Sequence, residues 1–508
     1  MNGAPIQLAS GSLGEGIGVL FDPVIIAVIF VGTAIGIVFG AIPGFSATIT
    51  IILLTPVTIP LQPAVALILL VSAYGGAVYG GSIPAILINT PGAPGSVVTC
   101  WDGYKLTQQG KAVYTLAVSA FASGMAGILA AAVLLLAAPI VAEFALEFGP
   151  PEMFLLAIFA LTIIPAVKNS SLSKGLLAGL FGLLVATVGN DPQLAQPRAT
   201  YGLTILQSGL DYIVILIGLF VLTEMIRLAM RGSTAEKVED ETLGGYDQVV
   251  AGVKAVIARP VDFLRSTAIG AFVGSLPGAG ADVANFVSYN EAQRWSGEEK
   301  SALYGTGIIE GVIAADSSNN ATQGGALIPT LTLGIPGSGS TAALIGALAI
   351  HGLNPGPGLF QRSGPIVYAM ILSLFLGNIL IIVYGLPGSR YFGKVAYIPV
   401  RFIIPIVTVL AVVGAFAVRN APFDLYVILV VGVLGLVFVK YDYPLVSPVL
   451  GVIVGDIAET GFARGWLLNS ESWSAFITNS GVSIGLTVLI SLSLLTTIVG
   501  NYRKGQSN

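Results

Sequence analysis

Long apolar runs fill most of this chain of 508 residues and limit what it can fold into. The first run, Val24 to Ile42, has about the 20 residues that an α-helix needs to cross a bilayer, and it follows Asp22-Pro23, a typical helix start. Only 9% of the residues are charged and 55% are hydrophobic, whereas soluble domains carry about 25% charged residues. This pattern excludes a soluble domain and a disordered chain, and it argues against a β-barrel, whose strands alternate in polarity. The sequence therefore predicts an all-α polytopic membrane protein.

Further apolar segments are candidate membrane helices, although several are too short to cross fully. They are residues 47–60, 64–79, 114–138, 152–167, 175–189, 212–229, 263–275, 302–315, 365–386, 402–418, 422–439, 444–454 and 481–499. If each segment crosses once and the N-terminus is outside, only Arg198, Arg362, Arg419 and Arg464 of the 22 basic residues lie outside. Because Lys and Arg gather on the cytoplasmic side, we expect a periplasmic N-terminus and a cytoplasmic C-terminus.

The chain contains two pairs of similar glycine- and proline-rich motifs in the same order. Residues 36–44 read GIVFGAIPG and residues 270–278 read GAFVGSLPG, so both fit G-x-x-x-G-x-x-P-G. Residues 80–92 and 324–337 share the pattern P-x6-P-G. A polar stretch at 231–262 separates the copies and is interpreted as a cytoplasmic linker. The sequence thus predicts one repeat in residues 1–230 and a second in residues 263–508, which also holds extra C-terminal helices.

The predicted topology places an odd number of crossings before the linker, which inverts the second repeat relative to the first. Inverted repeats with Gly/Pro-interrupted segments are typical of the binding sites of secondary transporters. We expect a re-entrant helical hairpin near 82–98 and another near 326–351, in an elevator-type architecture. The alternative is that the glycines serve only close helix packing. The residues predicted as structural hinges are Pro43, Gly44, Pro91, Pro277, Gly278, Pro336 and Gly337.

The same motifs resemble a known family, the large membrane subunit (TctA) of the tripartite tricarboxylate transporters. The motifs that carry the resemblance are GAIPG at 40–44, YGGSIP at 79–84, NTPG at 89–92, DGY at 102–104, LPG at 276–278, GTGIIEG at 305–311, ADSSNN at 315–320 and GIPG at 334–337. The resemblance implies a small membrane subunit similar to TctB and a periplasmic solute-binding protein similar to TctC as partners. It also implies uptake of carboxylates such as citrate across the bacterial inner membrane, driven by a Na⁺ or H⁺ gradient. No other cofactor and no nucleic acid are expected, and a dimer of the membrane complex stays open.

Ionisable groups inside a membrane are expensive to bury and mark functional sites. An oxygen-rich cluster suits a hard cation such as Na⁺, and a carboxylate can instead carry a proton. The residues predicted to couple the ion are Asp316, Asn319, Asn320, Glu310, Asp282 and Asn285. The alternatives are that the run at 316–320 is a wet loop at the membrane surface and that residues 282–291 form a polar surface helix.

Hydroxyls, an amide and free backbone N–H groups at the hairpin tips can hold a carboxylate without a buried Lys or Arg. The residues predicted to bind substrate are Asn89, Thr90, Gly92 and Ser96 at the first tip and Ser338, Ser340 and Thr341 at the second. The alternative is that Ser and Thr simply cap helix starts.

Three functional classes were weighed. A secondary carboxylate transporter explains both the paired hairpins and the intramembrane carboxylate. A channel would line its pore with repeated rings, which two unequal hairpins do not form. An intramembrane enzyme would need Ser338 or Ser340 to reach His351, the one histidine, and the chain holds a single cysteine, Cys100, and no metal-ligand set. We therefore predict a transporter and not an enzyme, with no metal site beyond a Na⁺ at the ion-coupling residues.

Overall fold

The computed structural model describes residues 5–167, 172–191, 196–231, 245–278, 280–392 and 400–505. It confirms the all-α prediction, since the strand structure in these residues is limited to the pair Gly189–Asn190 and Pro197–Arg198. Of the 231–262 linker, residues 232–244 lie outside the described residues. The second part of that segment holds a helix, Tyr246–Ile257, which packs on the helix beginning at Ala112 through Gly252.

The helices of the first half, up to the predicted linker, are numbered here in chain order. They are α1 (Pro5–Leu20), α2 (Pro23–Gly40), α3 (Ala47–Thr58), α4 (Pro63–Gly80), α5 (Ser82–Ile88), α6 (Val97–Gln108), α7 (Ala112–Ala145), α8 (Pro150–Val167), α9 (Leu172–Ala186), α10 (Tyr212–Leu216) and α11 (Thr223–Arg231). Short 3₁₀ turns cover Pro94–Ser96 and Thr204–Ser208, and a π-helical segment, Ile217–Leu222, joins α10 to α11.

The helices of the second half continue the numbering. They are α12 (Tyr246–Ile257), α13 (Pro260–Gly274), α14 (Gly280–Trp295), α15 (Glu298–Ser301), α16 (Ile309–Leu333), α17 (Gly339–Ile350), α18 (Leu359–Gly388), α19 (Val400–Arg419), α20 (Phe423–Lys440), α21 (Val446–Leu468), α22 (Trp473–Ile477) and α23 (Gly481–Gly505).

Eight helical stretches within the described residues are long and apolar enough to cross a membrane, judged by length and composition. They are Pro23–Gly40, Pro63–Ile88, Ala112–Ala145, Tyr212–Met230, Leu359–Gly388, Phe402–Arg419, Phe423–Lys440 and Val446–Leu468. Five shorter apolar helices accompany them. The chain is therefore a multi-pass membrane protein.

One expected span was wrong. Residues 302–315 do not form one span, because residues 302–308 are a non-helical loop and α16 begins only at Ile309. The polar run at 316–320 consequently lies inside the long buried helix α16 rather than in a loop. The wet-loop alternative fails because Asp316 and Asn320 are fully buried.

Glycines let the helices of each half approach closely. In the first half, a Cβ on Gly36 would lie 2.2 Å from the carbonyl oxygen of Ala73. In the second half, a Cβ on Gly270 would lie 2.3 Å from the carbonyl oxygen of Ser318. No side chain fits at such distances, so small residues are required where α2 crosses α4 and where α13 crosses α16. Packing, one of the two interpretations of the G-x-x-x-G spacing, is what these glycines do in the structure.

Candidate functional site

Two helical hairpins carry the predicted tips. Hairpin 1 is α5, the turn at 89–96 and α6; hairpin 2 is α16, the turn at 334–338 and α17. In hairpin 1, Asn89 ends α5 in the left-handed conformation and the N–H of Gly92 donates to the carbonyl of Gly81 at 3.0 Å. In hairpin 2, Gly334 ends α16 in the same left-handed conformation. Both tips are therefore fixed by a left-handed residue, which lets the chain reverse within a few residues.

Each tip also packs on the Pro-Gly break of its own half. A Cβ on Gly92 would lie 2.3 Å from the carbonyl oxygen of Gly40, and a Cβ on Gly337 would lie 2.9 Å from that of Gly274. The predicted hinges lie here: Pro91 precedes Gly92, Pro336 precedes Gly337, and Pro43 and Pro277 start the two breaks. Gly44 and Gly278 have φ values of +82° and +71°, which glycine adopts without strain.

Each tip then meets the start of a helix from the other half of the chain. The Ser340 hydroxyl lies 3.0 Å from that of Thr48, in the first turn of α3. The Asn285 amide of α14 donates to the carbonyl oxygen of Gly95, and Gly280 packs on Ser338. The starts of α3, α6, α14 and α17 consequently converge on one place between the tips. Because helix starts present free N–H groups and the positive end of the dipole, this place favours an anion.

The carboxylate of Asp316 lies beside this place and is fully buried. Its Oδ1 accepts hydrogen bonds from Ser82 at 2.9 Å and from Thr99 at 2.6 Å, one on each arm of hairpin 1. Its Oδ2 has no hydrogen-bond partner within the described residues. An acidic group of α16 in the second half is thus held by hydroxyls of the first.

The amides predicted with Asp316 divide between two environments. Asn319 faces the first tip, where its Oδ1 lies 2.8 Å from the place that a Cβ on Gly95 would occupy. Asn285 joins it there, because its Oδ1 accepts from Ser318 at 3.1 Å. The Asn320 amide is fully buried, and neither of its polar atoms has a partner in the described part of the chain. The structure therefore brings Asn285, Asn319 and the first tip together and places Asn320 on another face of α16.

The remaining two acidic residues predicted for ion coupling lie apart from each other. Glu310, at the start of α16, forms ion pairs with Arg259 at 2.6 Å and with Lys300 at 2.8 Å. It lies six residues before Asp316, about 9 Å along the helix axis. Asp282 is half-buried in the first turn of α14, beside the converging helix starts. The remainder of α14 exposes Phe286 and buries Ser288.

The residues predicted to bind substrate also occupy different environments. Ser338 and Thr341 form a capping box at the start of α17, with the Thr341 N–H donating to the Ser338 hydroxyl at 3.2 Å. The Ser96 hydroxyl is buried and has no partner in the described residues. Asn89 and Thr90 are exposed at the end of α5. The capping alternative thus describes Ser338 and Thr341, because the backbone N–H of each donates to the hydroxyl of the other.

One carboxylate with a structural role was missed. Asp102 of α6 is fully buried, and its Oδ1 accepts three backbone N–H groups, those of Gly305, Gly307 and Ile308, at 2.8–3.0 Å. Its Oδ2 accepts from the Tyr289 hydroxyl at 2.7 Å. Asp102 thereby ties hairpin 1 to the loop that leads into α16. The DGY motif was a visible signal, but its partners lie about two hundred residues away in sequence.

The described residues hold no group of three or more His, Cys, Asp or Glu side chains that could bind a metal ion. His351 lies 3.1 Å from the hydroxyl of Thr58, far along α17 from Ser338 and Ser340. That separation removes the geometry that a Ser–His nucleophile would need.

Comparison with known proteins identifies a family and two relatives of the chain. The sequence profile described as the tripartite tricarboxylate transporter TctA family matches residues 26–450. The chain is 34% identical over 503 residues, covering 96% of both chains, to a protein of Agrobacterium vitis described as an uncharacterized 52.8 kDa protein in the TAR-I ttuC' 3' region. It is also 34% identical over 233 residues, 45% of this chain and 95% of the relative, to an uncharacterized protein in the TAR-II ttuC' 3' region of the same organism. No solved structure matches significantly.

Proposed function

Since the chain belongs to the tripartite tricarboxylate transporter TctA family, a transporter family, we propose that it is the large membrane subunit of a secondary active carboxylate uptake system. The substrate is a tricarboxylate or dicarboxylate such as citrate, and a Na⁺ or H⁺ gradient drives its accumulation. A periplasmic solute-binding protein similar to TctC delivers the substrate, and a small membrane subunit similar to TctB completes the complex. The complex sits in the bacterial inner membrane with this chain's N-terminus periplasmic and its C-terminus cytoplasmic.

The observation that carries the proposal is the convergence of four helix starts between the two tips. The segments 43–50, 91–99, 277–285 and 336–343 contain no Lys or Arg. Backbone N–H groups and helix dipoles can therefore bind the substrate carboxylate there without a fixed positive side chain that would hold it too tightly for release. Ser338, Ser340 and Ser96 supply hydroxyls at the same place, which supports their assignment to substrate.

Paired glycine contacts support an internal repeat, which we propose is inverted. Gly36 and Gly40 of α2 meet Ala73 and Ala77 of α4 in the same order as Gly270 and Gly274 of α13 meet Ser318 and Thr322 of α16. We assign residues 1–230 and 263–508 to the two repeats, joined by the linker at 231–262. In the proposed mechanism the two hairpins move together as an elevator against the flanking helices. This movement carries the site between the tips from one membrane face to the other.

The cation acts beside the anion. Asp316, with the amides of Asn319 and Asn320, is the proposed site of the coupling ion, and Asp282 and Asn285 extend it toward the substrate. A bound cation or proton offsets the charge of the carboxylate in a medium of low dielectric constant, so that each stabilises the other. Asp316 bonds to both arms of hairpin 1, and neutralising it therefore changes the contacts that fix that hairpin.

Uptake by the reconstituted complex tests the proposal. Proteoliposomes that hold the large and small membrane subunits receive the binding protein, labelled mono-, di- or tricarboxylates, and Na⁺ or pH gradients imposed separately. We expect saturable accumulation of a carboxylate against its own gradient, and none in vesicles that lack this chain. Carboxylate or ion flux without accumulation would instead identify a channel and overturn the proposal.

A further inference from the structure

One face of α16 buries polar groups that the protein itself does not satisfy. Asp316, Asn320 and Gln323 follow the spacing i, i+4, i+7 and so share this face; all three are fully buried. Both amide atoms of Asn320, both of Gln323 and the Oδ2 of Asp316 lack a hydrogen-bond partner within the described residues. The face therefore continues from the proposed ion site for two helical turns.

The opposing helix α7 presents hydroxyls to the same face. Ser119 faces the Asp316 carboxylate, and the Ser123 hydroxyl has no hydrogen-bond partner within the described part of the chain. Further along, a Cβ on Gly324 of α16 would lie 2.3 Å from the carbonyl oxygen of Ala130. The two helices therefore run in the same direction here. Ser123, one turn beyond Ser119, accordingly lies level with Asn320, one turn beyond Asp316.

Helices α4 and α18 enclose the far end. The Oε1 of Gln323 lies 3.3 Å from the place that a Cβ on Gly75 of α4 would occupy. On α18, the Asn378 Nδ2 donates to the carbonyl of Leu374 at 2.8 Å, while its buried Oδ1 points at Gly127 of α7 and has no described partner. The glycines at 75 and 127 leave room for these amides.

The chemistry of these groups identifies what binds them. A buried polar group without a partner costs about 1–3 kcal/mol, and an amide cannot lose this cost by changing its protonation state. Asn320 and Gln323 offer N–H donors, Ser119 and Ser123 offer hydroxyls, and Asn378 and Asp316 offer acceptors. A cation satisfies acceptors alone, whereas water both donates and accepts, so the mixture of donors and acceptors matches water.

We propose that the polar side chains around this face bind a file of water molecules that conducts protons to and from Asp316. These side chains are Ser119, Ser123, Asn320, Gln323 and Asn378. The coupling ion is accordingly the proton, which rests on the transport function proposed above. Each water accepts one proton and passes one on, and the last transfer converts the Asp316 carboxylate to the neutral acid. Release runs in the opposite direction.

The surroundings of Asp316 fit a proton acceptor. Tyr79 of α4 and Cys100 of α6 are the titratable groups that interact with its charge. Helices α5 and α7 present hydroxyls, and α13 and α14 pack against this part of α16 through Gly270 and Ser288. Within the described residues, no salt bridge involves Asp316, so a change in its protonation state changes the local charge directly.

Two near-isosteric variants of the complex test the inference, Gln323→Met and Asn378→Leu. Net uptake driven by an inward proton gradient should fall about tenfold, because apolar side chains expel the water that transfers the proton. Counterflow of labelled against unlabelled carboxylate, which needs no proton release, should stay near the wild-type rate. Ser373→Ala is the matched control, since its buried hydroxyl is satisfied within α18 at 2.7 Å; both rates should be unchanged.

Each other outcome overturns the inference in a distinguishable way. Variants with wild-type net uptake and a raised melting temperature would show that the face is dry. Wild-type accumulation that follows a Na⁺ gradient and ignores the pH gradient would refute the proton file and leave the transport function intact. Absence of carboxylate transport by the wild-type complex would refute both. Should Asn378→Leu fail to assemble, Gln323→Met alone gives the same test.

Discussion

When α4 is counted together with α5, the first arms of the two hairpins share their backbone packing and differ in chemistry. The stretch α4–α5 and the helix α16 each make close glycine contacts with one neighbouring helix, α2 or α13. Counted from those contacts, Val71, Tyr74 and Gly75 occupy the positions of Asp316, Asn319 and Asn320. The first arm therefore places an aliphatic, an aromatic and a small residue where the second places a carboxylate and two amides.

This difference indicates how a paired architecture acquires one function rather than two. The small-residue packing fixes where the helices cross, and that requirement is the same in both halves. The carboxylate and the two amides are needed in only one half, because the hydroxyls of Ser82 and Thr99 in the other half reach across to Asp316. The proposed ion site is thus shared between the halves even though its central acidic residue, Asp316, comes from one.

The largest effect should come from neutralising the acid. Asp316→Asn keeps the shape of the side chain and its contact with both arms but removes the charge that a cation or proton requires. We expect complete loss of gradient-driven carboxylate accumulation in proteoliposomes, with normal assembly on size-exclusion chromatography. Glu310→Gln is the matched control on the same helix and should retain accumulation, because that carboxylate is committed to Arg259 and Lys300. Unchanged ion dependence in Asp316→Asn would contradict the assigned role.

A second comparison tests whether the two tips depend equally on close packing. Added Cβ atoms at Gly92 and at Gly337 would meet backbone atoms at 2.3 Å and 2.7 Å, so Gly92→Ala and Gly337→Ala should each destabilise the protein by about 1–3 kcal/mol. Thermal unfolding of the purified complex measures the loss. Gly18→Ala in α1, where nothing lies within 4 Å, should be neutral or stabilising by about 0.5–1 kcal/mol. Equal stability of Gly92→Ala and Gly18→Ala would show that the first tip is not constrained as described.

The link between the halves through Asp102 predicts an effect of comparable size. Asp102→Asn leaves an oxygen for the N–H groups of the 305–308 loop but removes its charge, at a cost of about 1–3 kcal/mol. Hydrogen exchange of the Gly305, Gly307 and Ile308 amides should accelerate. Tyr289→Phe, which removes one bond to the same carboxylate, should cost about 1 kcal/mol. Unchanged exchange in Asp102→Asn would mean that the loop is held by other contacts.

The smallest effect concerns the hydroxyl pair between the second tip and α3. Removing both partners of a hydrogen bond is nearly neutral, whereas removing one leaves the other unsatisfied. Thr48→Val and Ser340→Ala should each cost about 1 kcal/mol, and the double variant should cost less than the two together. A double-mutant cycle of unfolding free energies measures this coupling, and strict additivity would show that the two hydroxyls do not interact.

Features governed by local chemistry could be predicted from the sequence. The all-α membrane fold follows from apolar runs, and the breaks at Pro43-Gly44 and Pro277-Gly278 follow from the backbone limits of those two residue types. Asp316 could be selected because a carboxylate in an apolar environment is rare.

Features set by distant contacts could not be predicted. Glu310 and Asp316 look alike in sequence, yet Arg259 and Lys300 pair with Glu310 alone, and no local pattern reveals this. The span expected at 302–315 failed for a related reason. Residues 302–308 are apolar enough to suggest a helix, but the three N–H groups that bind Asp102 require an open loop.

The bonds of Asp102 also constrain how the protein is made. Its three backbone partners lie 203, 205 and 206 residues away in the chain. At a synthesis rate of about 5–20 residues per second, they follow Asp102 out of the ribosome by roughly 10–40 s. During that interval the first half is already in the membrane with a carboxylate whose final partners do not yet exist. Insertion of the first hairpin must therefore be completed late, after the second half has been delivered, and a truncated chain that ends in the linker would leave Asp102 without these partners.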